Sequence, residues 1–274
     1  MSTIKQSLIT LILLSNRRKE LLFLLKKEPR DIDTIKELLK VDSGSIQPHI
    51  KKMKDAGLIT EKNKTYNLSD IGEMLAENLQ PLLNTAEVFE ENTEYWKSHD
   101  LSSIPYFLLE RIEEIGHFEL LEPDAEHLAE TPKILLENML NSKEIMTFVS
   151  YSHPEAPFIY SELAERGTEV TLCITQNVAE RLFSSYREET EKLFRVNNSK
   201  IFILRTPTTI PSIIVTDRFL AFKLFEKNGK LRDQIILCFG EKALCWGKDL
   251  FLHCIETAEP LFEKDFLQIM KLNR

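Results

Sequence analysis

The stretch DTIKELLKVDSGSIQPHIKKMKDAGLI, from Asp33 to Ile59, decides the fold of the N-terminal part of this chain. Apolar residues at helical spacing on both sides of VDSGS predict two short amphipathic helices joined by a tight turn. Asp42 or Ser43 is a suitable N-cap for the second helix, and Ala56-Gly57 is typical of a helix C-terminus. The stretch therefore predicts a helix-turn-helix.

The flanking segments extend this unit to a winged helix-turn-helix over residues 1–70. Apolar periodicity predicts helices over 4–14 and 17–27, ahead of the quoted stretch. Behind it, residues 58–60 and 65–68 read as two strands around the polar turn 61–64, which predicts a wing at 60–68.

The second helix, around residues 43–54, has two faces of different chemistry. Ile46, Ile50 and Met53 share the face that we expect to be buried. The opposite face carries mostly short, polar side chains and is suited to a DNA major groove. There Gln can pair with adenine and Lys with guanine, while further lysines reach phosphates. The candidate DNA-binding residues on the helix and wing are Ser43, Gly44, Ser45, Gln47, Pro48, Lys51, Lys52, Lys54, Lys62 and Lys64.

Pro48 leaves two interpretations of this helix open. If the helix begins at Asp42 or Ser43, Pro48 lies about six residues into it, and the carbonyl of Gly44 loses its usual N–H partner. If the helix begins near Gln47, Pro48 is a first-turn residue and costs nothing. Both interpretations keep the lysines of the helix beside DNA.

Charge is unevenly distributed along the chain, whose net charge is −8. Residues 1–64 contain 14 Lys and Arg against 8 Asp and Glu, whereas residues 65–145 contain 4 against 18. A basic N-terminal unit on an acidic body predicts that only this unit meets a polyanion such as double-stranded DNA. A winged helix that binds protein instead of DNA stays open as an alternative.

Residues 71–140 are predicted to form a helical linker or dimerisation region. Apolar residues recur every three or four positions with acidic residues between them, and Pro81 is expected to kink or split the first helix. Further helices are predicted over 104–115 and 125–140. Such helices serve as core or as a dimer interface, and we expect a homodimer.

Residues 141–274 alternate between strand and helix patterns, which predicts an α/β domain with a mixed sheet. The predicted strands are 145–149, 169–175, 201–204, 212–216, 220–224 and 234–238, and the predicted helices are 158–166, 178–194 and 241–256. The predicted fold class is thus an α+β N-terminal winged helix-turn-helix, a helical linker and a C-terminal α/β mixed-sheet domain.

The C-terminal domain is predicted to regulate the protein by binding an unknown small-molecule effector. Ligands of α/β sheets lie near the ends of parallel strands, which points to a pocket formed by Tyr151, His153, Arg205 and Asp217. An enzyme acting through His153 and its neighbours is a weaker alternative, because the sequence has no hydrolase, metalloprotease, P-loop or dinucleotide motif. We therefore expect no catalytic residues, no metal site and no cofactor.

The cysteines and the hydropathy profile indicate an ordinary cytoplasmic protein. Cys173, Cys238, Cys245 and Cys254 form no CxxC pair and are expected to be buried reduced thiols, with oxidation sensing as an alternative. No apolar run reaches the roughly 18 residues of a membrane helix. The early run SLITLILLS lacks the features of a signal peptide.

Several segments together resemble a known family. RRKELLFLLKKEPRDIDTIKELLKVDSGSIQPHIKKMKDAGLI is similar to the winged-helix domain of archaeal transcription regulators of the methanogenesis-regulator (FilR-like) type. SKEIMTFVSYSHPE, GTEVTLCIT, SIIVTDRFLAFKLF and GEKALCWGKDLF resemble the second domain of those regulators and, more distantly, the phospholipase-D-like effector domains of archaeal regulators. The resemblance implies a dimeric DNA-binding regulator with an effector or interaction domain.

One departure from the phospholipase-D pattern bears on chemistry. Those enzymes need a His-x-Lys pair, but neither His153 nor His253 has a lysine two positions later. The resemblance therefore implies the fold without the activity. The leading hypothesis is a DNA-binding transcription regulator, and the alternatives are an interaction scaffold using the acidic helices and a phosphodiesterase-like enzyme.

Overall fold

A computed structural model describes residues 7–123 and 130–265 of the chain. Its contacts group the residues into two compact units, Met1–Asn84 and Thr85–Arg274. The predicted boundaries at 70 and 140 do not coincide with this division. The reason is the long helix that begins at Asp70: Ala76 and Leu79 belong to the core of the first unit, whereas Val88 belongs to a core of the second.

The first unit contains short helices and a small antiparallel sheet. The helices are α1 (Leu8–Leu13), α2 (Asn16–Lys27), α3 (Ile32–Leu39), α4 (Ser43–Asp55) and the first part of α5 (Asp70–Glu91). The strands β1 (Arg30–Asp31), β2 (Ile59–Lys62) and β3 (Thr65–Leu68) lie in the order β1-β3-β2. This is the arrangement of a winged helix-turn-helix, as predicted, and β1 is a strand that the sequence did not indicate. The start of the helix predicted over 4–14 lies outside the described residues.

Helices α3 and α4 pack their apolar residues into one core of the first unit. Ile35 of α3 and Ile46, Ile50 and Met53 of α4 are at most 1% exposed. The predicted inward face of α4 is therefore confirmed. At the turn between the helices, Lys40 adopts the left-handed conformation (φ 51°), and the N–H of Val41 donates to the carbonyl of Lys36, which closes the end of α3.

Helix α5 begins at a tight junction with the wing. The Ser69 hydroxyl donates to the carbonyl of Gly57 (2.5 Å) and accepts the N–H of Gly72 (3.1 Å), while the Ser69 N–H donates to the carbonyl of Leu58 (3.0 Å). The helix then runs unbroken through Pro81. Of the two outcomes expected at Pro81, the split is wrong and the kink stays a prediction. Pro81 and Glu77, four residues before it, are exposed, so the carbonyl left without a donor is accessible to water.

The second unit is an eight-stranded mixed sheet with helices on both faces. Its helices are the end of α5, α6 (Thr93–Ser98), α7 (Tyr106–Leu109), α8 (Lys133–Leu140), α9 (Ala156–Glu165), α10 (Gln176–Ser185), α11 (Arg187–Arg195) and α12 (Glu241–Ile255). Short 3-10 helices cover Leu101–Ser103 and Ile112–Ile115. The strands are β4 (Glu119–Leu121), β5 (Glu144–Val149), β6 (Glu169–Thr175), β7 (Ser199–Leu204), β8 (Ser212–Thr216), β9 (Leu220–Lys223), β10 (Ile235–Cys238) and β11 (Glu259–Pro260).

The strand order is β11-β7-β6-β5-β8-β9-β10-β4. Strands β5, β6 and β7 are parallel, and the other pairings are antiparallel. One face packs against α12, with Trp246 fully buried, and the other packs against α8 to α11. The predicted mixed sheet is confirmed.

Two predicted helices are corrected by the structure. The helix expected over 104–115 consists of α7 and a 3-10 helix; the carbonyl of Leu108 accepts the N–H of Arg111 (3.1 Å), three residues later, and the indole N–H of Trp246 (2.9 Å). The helix expected over 178–194 is broken at Tyr186, whose backbone is not helical (φ −132°, ψ 49°). Of the helix expected over 125–140, residues 125–129 lie outside the described part, and α8 covers Lys133–Leu140. No helix within the described ranges is long and apolar enough to cross a membrane.

Candidate functional site

The first candidate site is the outer face of α4 together with the wing. Asp42 is the N-cap of α4: its carboxylate accepts the N–H of Ser45 (2.8 Å), and the Ser45 hydroxyl donates to the Asp42 carbonyl (3.0 Å). The helix therefore begins at Ser43, and Pro48 is its sixth residue. The interpretation in which the helix begins near Gln47 is wrong, and the carbonyl of Gly44 receives no hydrogen bond from residue 48.

Every predicted DNA-binding residue lies on the surface of this unit. The exposed set comprises Ser43, Gly44, Ser45, Gln47, Pro48, Lys51, Lys52 and Lys54 on α4, and Lys62 and Lys64 in the wing. The wing turn is shorter than predicted. Lys62 pairs with Thr65, so the turn contains only Asn63 and Lys64, both with positive φ (51° and 65°), as in the two-residue turns typical of hairpins.

The lysines of this surface differ in how their charge is used. The ammonium of Lys54 donates to Glu61 on β2 (2.5 Å) and lies 5.9 Å from the centre of the Tyr66 ring. The hydrogen bond to Glu61 raises the pKa of Lys54. Within residues 7–123 and 130–265, Lys51, Lys52, Lys62 and Lys64 form no ion pair. Four cations of the surface are thus unpaired, while Lys54 links the helix to the wing.

His49, on the same helix, was not among the predicted residues. It is half-buried, and its Nδ1 atom is buried without a hydrogen-bond partner. Burial lowers the pKa of His49, and the nearby Arg18, Lys52 and Arg17 lower it further. This shift favours the neutral imidazole over the charged form.

The second candidate site is a cavity of about 510 Å³ in the second unit. It lies at the sheet edge where β5 ends, β8 begins and β9 ends, because Val149 pairs with Ser212 and Ser212 pairs with Lys223. One part of the lining is apolar and comes from the sheet and from helices α8 and α9: Leu121, Leu135, Met139, Ile159, Ile214 and Ile235. Its size lies within the range of organic-ligand sites.

The polar part of the cavity is centred on a buried lysine. The side chain of Lys223 is 9% exposed, and its ammonium donates to the Tyr151 hydroxyl (2.5 Å) and to the Asp233 carboxylate. The Tyr151 hydroxyl is 3.4 Å from the same carboxylate, and the ammonium lies 5.2 Å from the centre of the Tyr151 ring. Burial, followed by the charge of Asp233, raises the pKa of Tyr151. Burial, followed by the charge of Lys223, lowers the pKa of His153.

Two of the four residues predicted for this pocket lie in the cavity. Tyr151 and His153 line the cavity. Arg205 does not line it and instead donates to Glu259 (3.0 Å) and Gln176 (2.8 Å). Asp217 lies in the turn at the opposite end of β8, where it accepts the N–H of Lys143 (2.9 Å). Strand ends alone do not identify neighbours, because β7 is separated from β5 by β6.

Sequence reasoning missed Lys223 and Asp233. Lys223 ends the apolar run FLAFK, and a lysine inside a predicted buried strand is a signal that it needs a partner. Asp233 lies in a loop ten residues later, and nothing in the sequence couples it to Lys223. In the described part of the chain, no group of three or more His, Cys, Asp or Glu residues could hold a metal ion.

The thiols are not uniformly buried. Cys173, Cys238 and Cys254 are buried, but Cys245 is exposed on α12, which corrects the prediction for that residue. Burial raises the pKa of Cys173 and of Cys254 to about 12.

Comparison with known protein families agrees with this two-unit organisation. The family model described as methanogenesis regulatory protein FilR1, N-terminal domain, matches residues 6–87, and the model for the middle domain of FilR1 matches residues 128–257. The chain belongs to the FilR1-like family. The predicted resemblance is thereby confirmed.

A curated relative of this FilR1-like chain is the methanogenesis regulatory protein FilR1 of Methanothrix harundinacea (strain 6Ac). The two are 24% identical over 264 residues, which cover 94% of this chain and 58% of the relative. The chain therefore spans little more than half of that relative's length.

Solved structures resemble the FilR1-like chain only distantly. TrmBL2, described as an archaeal chromatin protein, has a TM-score of 0.41 and 13% identity, with 93% of this chain and 97% of that chain covered. Nuc, a phospholipase D family member from Salmonella typhimurium, has a TM-score of 0.37 and 14% identity, with 54% and 100% covered. Similarity at this level carries no argument about activity.

Proposed function

We propose that this FilR1-like chain is a DNA-binding transcription regulator whose first unit contacts double-stranded DNA with α4 and the wing. The observation that carries the proposal is the outer face of α4 and the wing tip, where Lys51, Lys52, Lys62 and Lys64 are exposed and have no ion pair among the described residues. Unpaired lysines beside a short polar helix face suit contact with phosphates around a major groove.

The test is the salt dependence of DNA retardation. Each lysine that neutralises a phosphate contributes about −0.9 to the slope of log affinity against log salt. Alanine at Lys51, Lys52, Lys62 or Lys64 should each reduce the steepness by up to about 0.9. Lys54→Ala should change it less, because Lys54 is paired with Glu61.

The matched control is Lys192→Ala, which removes an exposed lysine paired with Glu165 (3.2 Å) on the other unit. Its slope should equal that of the unaltered protein. Gln47→Ala should leave the slope unchanged but lower the preference for a specific site by about 1–3 kcal/mol. Equal slopes for the control and all four lysine variants would remove the proposal.

The proposal includes a homodimer, so that two first units read two half-sites. Its support is an apolar strip on α5, where Ile71, Met74 and Leu82 are 52%, 64% and 60% exposed and share one side of the helix. Met74→Glu together with Leu82→Glu should convert the dimer to a monomer in sedimentation. The exposed pair Lys97→Ala and Glu94→Ala is the control. A monomeric unaltered protein would contradict this part alone.

The second unit, in this proposal, binds a regulatory ligand and does not transform one. His153 has no His-x-Lys partner, and its pKa is lowered by burial and by Lys223. Incubation with a generic phosphodiester substrate should give no turnover above that of a His153→Ala variant.

A further inference from the structure

The cavity of the second unit combines an apolar wall with a charge-balanced polar end. The apolar wall is formed by residues such as Leu135, Met139 and Ile214. At the polar end, Lys223 is already neutralised by Asp233 and also donates to Tyr151. A ligand that enters therefore meets a satisfied ion pair and not a bare charge.

The remaining charges of the lining do not favour an anion. Besides Lys223 and Asp233, the described lining carries Lys133 against Glu122 and Glu130. An anion would have to compete with Asp233 for Lys223, and a cation would have to compete with Lys223 for Asp233. An uncharged head that both donates and accepts hydrogen bonds can contact Asp233, Tyr151 and His153 without separating the ion pair.

We infer that this cavity binds an uncharged amphiphile, with its apolar body against the α8–α9 wall and a hydroxyl or amide head at the Lys223–Asp233–Tyr151 group. The inference rests on the proposed function only in calling this ligand an effector. Apolar burial sets the affinity: each methylene that enters the cavity should tighten binding about fourfold until the wall is covered.

The experiment compares four probes with the same eight-carbon chain: 1-octanol, octanamide, octanoate and octylammonium. Binding to the full chain is followed by methyl chemical shifts of Leu135, Met139 and Ile214. Octanol and octanamide should bind at least about tenfold more tightly than either charged probe, because a charged head must compete with one member of the Lys223–Asp233 ion pair for the other. Hexanol should bind roughly sixteen times more weakly than octanol.

Two variants test the role of the ion pair. Asp233→Asn leaves Lys223 unpaired, so octanoate should become the tightest of the four probes. Lys223→Met leaves Asp233 unpaired, so octylammonium should gain instead. Asp233 is 35% exposed in its side chain, so Asp233→Asn is the safer variant if the buried Lys223→Met fails to fold. Glu259→Gln, which removes the carboxylate beside Arg205 outside the cavity, is the control and should keep the original order.

The inference is overturned if no probe shifts the cavity methyls, if octanoate or octylammonium binds the unaltered protein as tightly as octanol, or if Asp233→Asn leaves the order unchanged. These outcomes are separable from failure of the proposed function, since retardation of DNA and its salt slope are measured on the same protein without any probe. If octanol changes that slope, ligand binding in the cavity is coupled to DNA binding.

Discussion

Gly72→Ala should destabilise the first unit although alanine is the better helix former. Gly72 lies in the first turn of α5, and a Cβ atom there would lie inside van der Waals contact of the Leu58 carbonyl oxygen, 3.2 Å from its carbonyl carbon and 3.4 Å from the Cβ of Leu68. The obstacle is backbone, so it cannot rotate away. The same carbonyl accepts the N–H of Ser69.

The magnitude follows from three contributions. Overpacking costs about 1–3 kcal/mol. Weakening the hydrogen bond from Ser69 to Leu58 adds about 1 kcal/mol. The higher helix propensity of alanine offsets at most about 1 kcal/mol. The free energy of unfolding should therefore fall by about 1–3 kcal/mol.

The assay is urea unfolding followed by far-UV circular dichroism, with Gly44→Ala as the matched control. Gly44 also lies in a first helical turn, but the atom nearest to a Cβ there is the capping Asp42 Oδ1 at 3.2 Å, a side-chain oxygen that can move by a few tenths of an ångström and still accept the N–H of Ser45. The control should stay within about 0.5 kcal/mol of the unaltered protein. If Gly72→Ala proves as stable as Gly44→Ala, the described junction between the wing and α5 is incorrect.

Three further predictions concern protonation, thiols and capping. The pKa values of His49 and His153 are lowered from 6.5 in the folded chain, so the folded state binds fewer protons than the unfolded state. The free energy of unfolding should therefore fall as pH drops below about 6.5. In urea titrations at pH 5–8, the double variant His49→Gln, His153→Gln should show a weaker pH dependence. Native protein should react with a thiol reagent at one cysteine, Cys245, and a Cys245→Ser variant at none; rapid reaction of a second thiol would contradict the burial of the others. Asp42→Ala should cost about 1 kcal/mol by removing the N-cap of α4, with Asp42→Asn nearly neutral; equal losses for both would mean that the cap is not the cause.

The elements that sequence predicted well are those whose signals are local. Helix α4 was placed because Asp42, the buried spacing of Ile46 and Ile50, and Gly57 lie within one short stretch. Strands β5 to β10 were predicted because each contains an apolar run. Strands β1, β4 and β11 were not predicted, because two or three residues form a strand only when a partner strand lies beside them.

The two candidate sites also differ in whether their signals are local in the sequence. The α4 surface lies on one helix and one hairpin, so periodicity alone could identify it. The cavity depends on the order β5-β8-β9-β10, which brings Tyr151, Lys223 and Asp233 together from three places in the chain. Strand order is a tertiary property, and for this reason Arg205 and Asp217 were grouped with residues that they do not meet.

The two-residue turn at Asn63-Lys64 has a consequence for how the wing meets a partner. A turn this short has few backbone conformations, so the backbone entropy of residues 62–65 is lost when the chain folds, and only the exposed lysine side chains lose entropy on association. Lengthening the turn with glycines would keep the same charges, but the wing backbone would then lose entropy on association. The backbone of the wing is thus preorganised before the wing contacts a partner.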